Sequence, residues 1–90
     1  MSYKIEIRAR VLKALARIPR QDRTRIEREI ESLADNPRPR GCRPVEAAEP
    51  NTYRIRCGRY RIVYIVLDEQ ILIVVVRVAK RGEDTYKGLN

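Results

Sequence analysis

Apolar and basic residues alternate along residues 53–64, with an interruption at residues 57–59. Alternation with a period of two predicts a strand, a tight turn and a second strand. Because side chains two residues apart in a strand point to the same side, Arg54 and Arg56 share one face, and Arg61 enters from the second strand. Three guanidinium groups on a rigid sheet, with tyrosines beside them, indicate a surface that binds phosphate.

The first half of the chain has the pattern of one strand and two helices. Residues 3–7 alternate in polarity, which predicts a strand at or near a sheet edge. Apolar residues over 11–18 recur with helical spacing up to Pro19, which ends that helix. A second apolar stripe predicts another helix over about residues 21–34, with a mixed-charge face toward solvent.

The second half of the chain is predicted to consist mostly of strands. A loop rich in proline and arginine comes first, and a short extended piece at residues 43–45 and another loop follow it. Three strands are expected over about residues 52–57, 59–67 and 70–79. Residues 71–76 are continuously apolar, so the last strand is expected to be central and buried on both faces.

These elements predict an α+β fold, with an N-terminal strand, a helical pair and then a twisted, mostly antiparallel sheet. The helices would pack on one face of the sheet, and the arginines would occupy the other. A chain of 90 residues without repeats or a linker is expected to form a single domain over residues 1–90. Tyr53, Tyr60 and Tyr64 are expected to pack in the core or across the hairpin, because the chain has no Phe or Trp.

The net charge of the chain is +8, from 20 Lys and Arg against 12 Asp and Glu. Such a charge favours RNA, DNA, the ribosome or an acidic protein as a partner. The charge is also concentrated, because residues 38–64 hold seven arginines and only two glutamates. Charge alone still leaves open a soluble protein that is basic without a polyanionic partner.

The sequence gives no sign of export, membrane insertion or metal binding. Residues 1–7 lack the apolar core of a signal peptide, and residues 71–76 are too few to cross a bilayer, so a cytoplasmic protein without membrane contact is expected. Histidine is absent, and Cys42 and Cys57 lack a metal-binding spacing, so neither a metal nor a small-molecule cofactor is expected. Both cysteines are expected to be free thiols in a reducing compartment.

The order of the elements and four segments resemble the RelE/ParE toxin superfamily of bacterial type II toxin–antitoxin systems. The segments are residues 33–39, 53–56, 58–64 and 78–81 followed by Tyr86. The resemblance covers essentially the whole chain. It implies a RelE-like endoribonuclease (an mRNA interferase) that cleaves mRNA in the ribosomal A site without a metal. The ribose 2′-hydroxyl attacks the adjacent phosphate and leaves a 2′,3′-cyclic phosphate and a 5′-hydroxyl.

The resemblance also implies which residues do this chemistry. The catalytic set is Arg54, Arg56, Arg61, Arg81 and Tyr86. Arg61 and Arg81 would stabilise the charge that builds on the phosphate, and Arg81 would also protonate the leaving 5′-oxygen. Some relatives have Lys where this chain has Arg54 and Arg56, and an arginine cannot act as a base near neutral pH. The general base is therefore expected to be Tyr86, with Lys80 as the second candidate.

Further basic residues are expected to contact RNA or the ribosome. They would bind the phosphate backbone and position the protein without reading sequence. These residues are Lys80, Arg59, Arg43, Arg40 and Arg38.

The resemblance implies partners and leaves two alternatives to the ribonuclease. The expected partners are the 70S ribosome with its mRNA and a cognate antitoxin, acidic at its toxin-binding end, that masks the positive charge. The toxin–antitoxin complex is expected to bind operator DNA through the antitoxin. One alternative is a ParE-like protein that inhibits DNA gyrase and is not a nuclease. The other is an inactive homologue that only binds an antitoxin.

Overall fold

The computed structural model describes residues 2–46 and 48–82, and within them the predicted order of elements is confirmed. A strand, two helices and four further strands follow one another along the chain, with a single 3₁₀ turn at Asp68–Gln70 between the last two strands. They are β1 (Lys4–Ile7), α1 (Ala9–Ala16), α2 (Arg20–Ser32), β2 (Arg43–Pro44), β3 (Thr52–Cys57), β4 (Tyr60–Leu67) and β5 (Leu72–Lys80). The α+β class is therefore correct, and the short extended piece is the strand β2.

The two helices are amphipathic, and Pro19 separates them. α1 buries Val11 and Leu15 and ends two residues before the sequence pattern does, because the residue before a proline disfavours helical geometry. Pro19 then caps α2, and its carbonyl oxygen accepts a hydrogen bond of 2.8 Å from the backbone N–H of Arg23. The buried stripe of α2, which includes Ile26 and Ile30, faces the sheet.

The five strands form one mixed sheet in the order β1-β5-β4-β3-β2. β1 pairs with β5 in parallel, and the other pairs are antiparallel. The prediction that β1 lies at an edge is confirmed. The prediction that β5 is buried on both faces is confirmed, because β5 lies between β1 and β4 and the consecutive residues Ile73, Val74 and Val75 are buried. Its predicted central place is wrong, because the middle strand is β4, which is buried continuously from Tyr60 to Tyr64. The arginine and tyrosine side chains of β4 did not indicate a central strand, whereas the continuous aliphatic run of β5 did.

The two faces of the sheet have different roles. One face packs against α1 and α2 and supplies the core side chains of β3, β4 and β5, including Ile55, Ile62 and Val75. The tyrosines belong to this face, since Tyr60 and Tyr64 are buried in the core and Tyr53 packs against it. The core role predicted for the tyrosines is thus confirmed, but they do not lie beside the arginines as the alternation suggested. We call the opposite side of the sheet the free face.

A network of polar side chains joins four separate parts of the chain at one end of the sheet. The Asp68 carboxylate accepts hydrogen bonds from the Tyr3 hydroxyl (2.7 Å) and from Nη2 of Arg38 (2.9 Å). Nε of Arg38 also donates to the Tyr53 hydroxyl at 2.9 Å. The network therefore ties the residue before β1, the loop after α2 and the strand β3 to the turn that leads into β5.

Stability should depend on pH through this network. The hydrogen bonds from Arg38 and Tyr3 hold the pKa of the Asp68 carboxyl below its ordinary value. Stabilisation by an acid with a lowered pKa is present above its unfolded-state pKa and is lost as the pH falls through its folded-state pKa. We expect Asp68→Asn to lower the Tm at neutral pH and to have no effect at a pH below the folded-state pKa. Thermal unfolding at a series of pH values measures this difference.

Glu69→Gln is the matched control, because Glu69 is an exposed acid in the same turn. Its Tm should follow that of the wild type across the pH series. A Tm difference between Asp68→Asn and wild type that stays constant with pH would contradict the assigned role of the carboxylate.

Candidate functional site

Strand pairing brings Arg56 and Arg61 together on the free face. Arg56 on β3 pairs with Arg61 on β4, which pairs in turn with Ala79 on β5. Residues that are directly opposite in an antiparallel pair point to the same face, with Cβ atoms about 4.5–5.5 Å apart. The shared face that the sequence predicted for these two arginines is therefore present.

A second row of the free face also contains arginines. Arg43 on β2 pairs with Arg54 on β3, Arg54 pairs with Val63 on β4, and Val63 pairs with Arg77 on β5. Arg54 lies two residues before Arg56 on the same strand, so the two rows are adjacent. We call the five arginines of these two rows the arginine surface; they are Arg43, Arg54, Arg56, Arg61 and Arg77.

Burial differs across the arginine surface. Arg61 is only 8% exposed, whereas Arg54 is half-buried and Arg43 and Arg56 are exposed. Among the residues that the structure describes, no carboxylate forms an ion pair with Arg43, Arg54 or Arg56. A buried arginine in the middle of the sheet with more exposed arginines around it suits the binding of an anion at one point.

Arg81 is held at the turn between β3 and β4. Its backbone N–H donates to the carbonyl oxygen of Arg59 at 2.7 Å, and its Nη1 donates to the carbonyl oxygen of Gly58 at 3.2 Å. Gly58 has a φ of +61°, which suits the first central residue of a two-residue hairpin turn. The turn therefore brings Arg81 to the end of the sheet at which Arg56 and Arg61 lie.

The other predicted site residues are distributed more widely. Arg40 lines a depression with Arg43, Arg54 and Arg56, so it adjoins the arginine surface. Arg59 lies in the β3–β4 turn and is exposed.

Three predicted residues are not brought to the arginine surface by the described structure. Arg38 lies at the opposite end of the sheet, where it is paired with Asp68 and its guanidinium lies 5.2 Å from the ring centre of Tyr53. Lys80 pairs with the core residue Tyr60, which puts it on the side of the sheet that faces the helices. Tyr86 lies outside the described residues.

Arg77 is a member of the arginine surface that the sequence pattern did not reveal. It follows directly after the apolar run 71–76, and strict alternation along β5 would turn it toward the helices with Ile73 and Val75. A register shift between β4 and β5 reverses the alternation at this point, so that Arg77 lies on the free face. The only sequence signal was a positive charge inside a strand.

Across residues 2–46 and 48–82, no group of three His, Cys, Asp or Glu side chains is placed to hold a metal ion. Burial, with the charge of Glu29 adding to it, raises the pKa of the Cys57 thiol above its ordinary value. A raised pKa keeps a thiol protonated and less nucleophilic.

Among residues 2–46 and 48–82, no helix is long and apolar enough to span a membrane.

Comparison with known proteins agrees with this fold. Residues 5–85 match the model of a family described as the ParE toxin of the type II toxin–antitoxin system parDE. RelE1 of Methanocaldococcus jannaschii is 32% identical over 89 residues, covering 97% of this chain and 98% of that protein. The mRNA interferase toxin RelE of Escherichia coli K12 is 29% identical over 87 residues, covering 90% of this chain and 85% of that protein.

A solved structure extends the similarity to three dimensions. The archaeal RelE–RelB complex from Pyrococcus horikoshii OT3 contains a chain that superposes with a TM-score of 0.81 and 29% identity, covering 91% of this chain and 98% of that one. The chain belongs to the RelE/ParE superfamily of toxins from toxin–antitoxin systems, as the resemblance predicted. The relatives named above are RelE proteins, so within the superfamily the chain is similar to RelE.

Proposed function

We propose that this chain is a metal-independent endoribonuclease that cleaves mRNA in the A site of translating ribosomes. The observation that carries the proposal is the pair of adjacent arginines, Arg56 and Arg61, at the end of the sheet where Arg81 is also held. The name of the E. coli relative, mRNA interferase toxin RelE, supports the same activity.

In the proposed reaction the 2′-oxygen of the ribose forms a bond to the adjacent phosphorus, and the bond from phosphorus to the 5′-oxygen breaks. Negative charge builds on the non-bridging oxygens, and preorganised cations stabilise it without having to reorganise. Arg61 suits this role because its burial fixes the guanidinium, which can donate to two oxygens at once. Arg54 and Arg56 would bind the phosphate from the neighbouring strand.

Two protons must move in this reaction. The 2′-hydroxyl loses its proton to a general base, for which we propose Tyr86; Lys80, the second candidate from the sequence, lies on the helix-facing side of the sheet and is not proposed for this role. The leaving 5′-oxygen takes its proton from Arg81, the role that the resemblance implies. Products with a 2′,3′-cyclic phosphate and a 5′-hydroxyl follow from this scheme. None of these steps requires a metal ion.

The proposed partners follow from the charge of the arginine surface and from the relatives. RNA phosphates would neutralise the arginines of the surface, and Arg40 and Arg59 would add contacts to mRNA or ribosomal RNA. The P. horikoshii relative forms a complex with RelB. We therefore propose a cognate antitoxin as a partner, with an acidic segment that covers the arginine surface. The toxin–antitoxin complex would bind operator DNA through that antitoxin.

Primer extension on cellular mRNA after brief induction tests the function. We expect the wild-type chain to produce cuts inside translated codons and Arg81→Ala to lose them, because the guanidinium at the β3–β4 turn is removed. Arg20→Ala is the matched control, since Arg20 is an exposed arginine at the start of α2. It should cut like the wild type.

Other outcomes distinguish the alternatives. If the wild type arrests growth without cutting mRNA, the proposed ribonuclease activity is overturned and inhibition of DNA gyrase is supported. Induction of DNA-damage signalling would then report gyrase inhibition. Neither cuts nor arrest would support an inactive, antitoxin-binding homologue. Equal cutting by Arg81→Ala and wild type would remove Arg81 from the proposed mechanism.

A further inference from the structure

A β-bulge in β5 turns Arg77 toward the free face. Val63 pairs with Arg77 and Tyr64 pairs with Val75, so Val76 is an extra residue on β5. Val75 and Val78 both lie in the core although they are three residues apart, which strict alternation does not allow. Bulges of this kind redirect side chains and are frequent beside functional sites.

The redirected Arg77 comes close to Arg61. Arg61 pairs with Ala79 on β5, and Arg77 lies two residues before Ala79. Diagonal neighbours of this type are about 7–8 Å apart, which is within the reach of long side chains. Arg54 has the same diagonal relation to Arg61 on the opposite side, through β3. Arg61 therefore has Arg54 and Arg77 on its two flanks.

A groove begins at Arg77 and extends away from Arg81 along the free face. Its volume is about 680 Å³. Val63, Ile65 and Val76 are apolar residues that line it, and Arg8, Arg10 and Glu49 contribute charged groups to its lining. Aliphatic side chains can support the flat face of a nucleobase, and a carboxylate can accept hydrogen bonds from ribose hydroxyls or base amino groups. Arg77 provides the cation for a phosphate at the start of this groove.

We infer that Arg77 binds the RNA phosphate next to the scissile one and directs the following nucleotide into this groove. The inference rests on the proposed ribonuclease function and adds a substrate-binding residue to it. RNA is favoured over an acidic protein as the occupant, because Arg77 continues the arginine surface and lies diagonally opposite Arg61. Arg77 contacts a phosphate at which no bond changes, so it should contribute to binding more than to the chemical step.

The test uses the full chain and ribosomes programmed with a defined A-site codon. Single-turnover cleavage is measured against toxin concentration for wild type, Arg77→Ala, Arg77→Lys and Lys4→Ala. We expect Arg77→Ala to raise the half-saturating concentration roughly 10- to 100-fold, the effect of losing one charged hydrogen-bonded contact, with the maximal rate almost unchanged. Arg77→Lys should recover part of the loss, because it keeps the charge.

Salt dependence provides a readout that a merely structural role would not change. Binding to ribosomes programmed with mRNA that is 2′-deoxy at the cleavage position is measured at several salt concentrations. Loss of one phosphate contact should reduce the slope of log K against log salt by about 0.7. Lys4→Ala is the matched control, since Lys4 is an exposed cation on β1 outside the arginine surface, and it should leave the slope unchanged.

The outcomes separate this inference from the proposed function. If the wild type cleaves while a folded Arg77→Ala variant keeps the wild-type half-saturating concentration and salt slope, the inference about Arg77 is overturned and the proposed function stands. Unchanged RNA binding with weaker antitoxin binding would also overturn it and would assign the groove to a protein partner. Absence of cleavage by the wild type would overturn the proposed function itself.

Discussion

Replacing Arg61 by Gln is expected to lower the rate of mRNA cleavage about 10²- to 10³-fold, which is the usual effect of removing one preorganised donor to a developing oxyanion. Arg61 is the buried arginine of the arginine surface, so its guanidinium needs little reorganisation when the charge develops. Glutamine keeps a polar side chain of moderate length but loses the charge and the forked geometry. Single-turnover cleavage on programmed ribosomes measures the effect.

Two controls accompany the Arg61 prediction. Arg61→Lys should fall between wild type and Arg61→Gln, because lysine keeps the charge but cannot grip two oxygens in a planar fork. Thermal unfolding of each variant must show a folded protein, since Arg61 is buried and its replacement can also affect stability. A folded Arg61→Gln variant that cleaves within about threefold of the wild-type rate would contradict the assigned role.

The largest effect on stability is expected from Tyr64→Ala. Tyr64 is fully buried in the middle strand, and its hydroxyl donates a 2.8 Å hydrogen bond to the carbonyl oxygen of Pro37. Its ring centre lies 6.0 Å from that of Tyr53. Truncation of a buried aromatic side chain typically lowers the free energy of unfolding by about 3–5 kcal/mol. That loss is a large part of the total of about 5–15 kcal/mol for a small domain.

Urea unfolding of Tyr64→Ala and Tyr64→Phe separates the two contributions of this residue. The Phe variant keeps the ring and loses the hydrogen bond to Pro37, so it should lose only about 0.5–1.5 kcal/mol. A similar loss in both variants would mean that the hydrogen bond dominates and that the packing estimate is wrong. Equal m-values in the two variants and the wild type are needed for the comparison.

The arginines of the β3–β4 hairpin could be predicted because local rules determine their positions. Alternation chooses the face, and the two-residue turn at Gly58 fixes the register, so Arg56 and Arg61 must be neighbours. The helices were predictable for a similar reason, since their apolar stripes are local patterns. In these segments the fold follows from nearby residues alone.

Contacts between distant segments could not be predicted in this way. The role of Arg38 depends on Asp68, which lies thirty residues further along the chain, so a local reading counted Arg38 among the RNA contacts. The position of Arg77 depends on a bulge in β5. Because residues 71–76 are all apolar, an extra residue among them does not disturb any alternation that the sequence could show. The central position of β4 also depends on the order of strands, which alternation does not encode.

The separation of the two sheet faces has a consequence for how this toxin can change in evolution. Exposed arginines such as Arg43 and Arg56 lie outside the helix-packed core, so most replacements there should leave folding intact while they alter the target or abolish toxicity. A gene that has lost its toxicity in this way still encodes a stable protein. Such a protein keeps the helix-packed core and the strand order of the active toxin, so the residues of the free face can be exchanged while the fold stays the same.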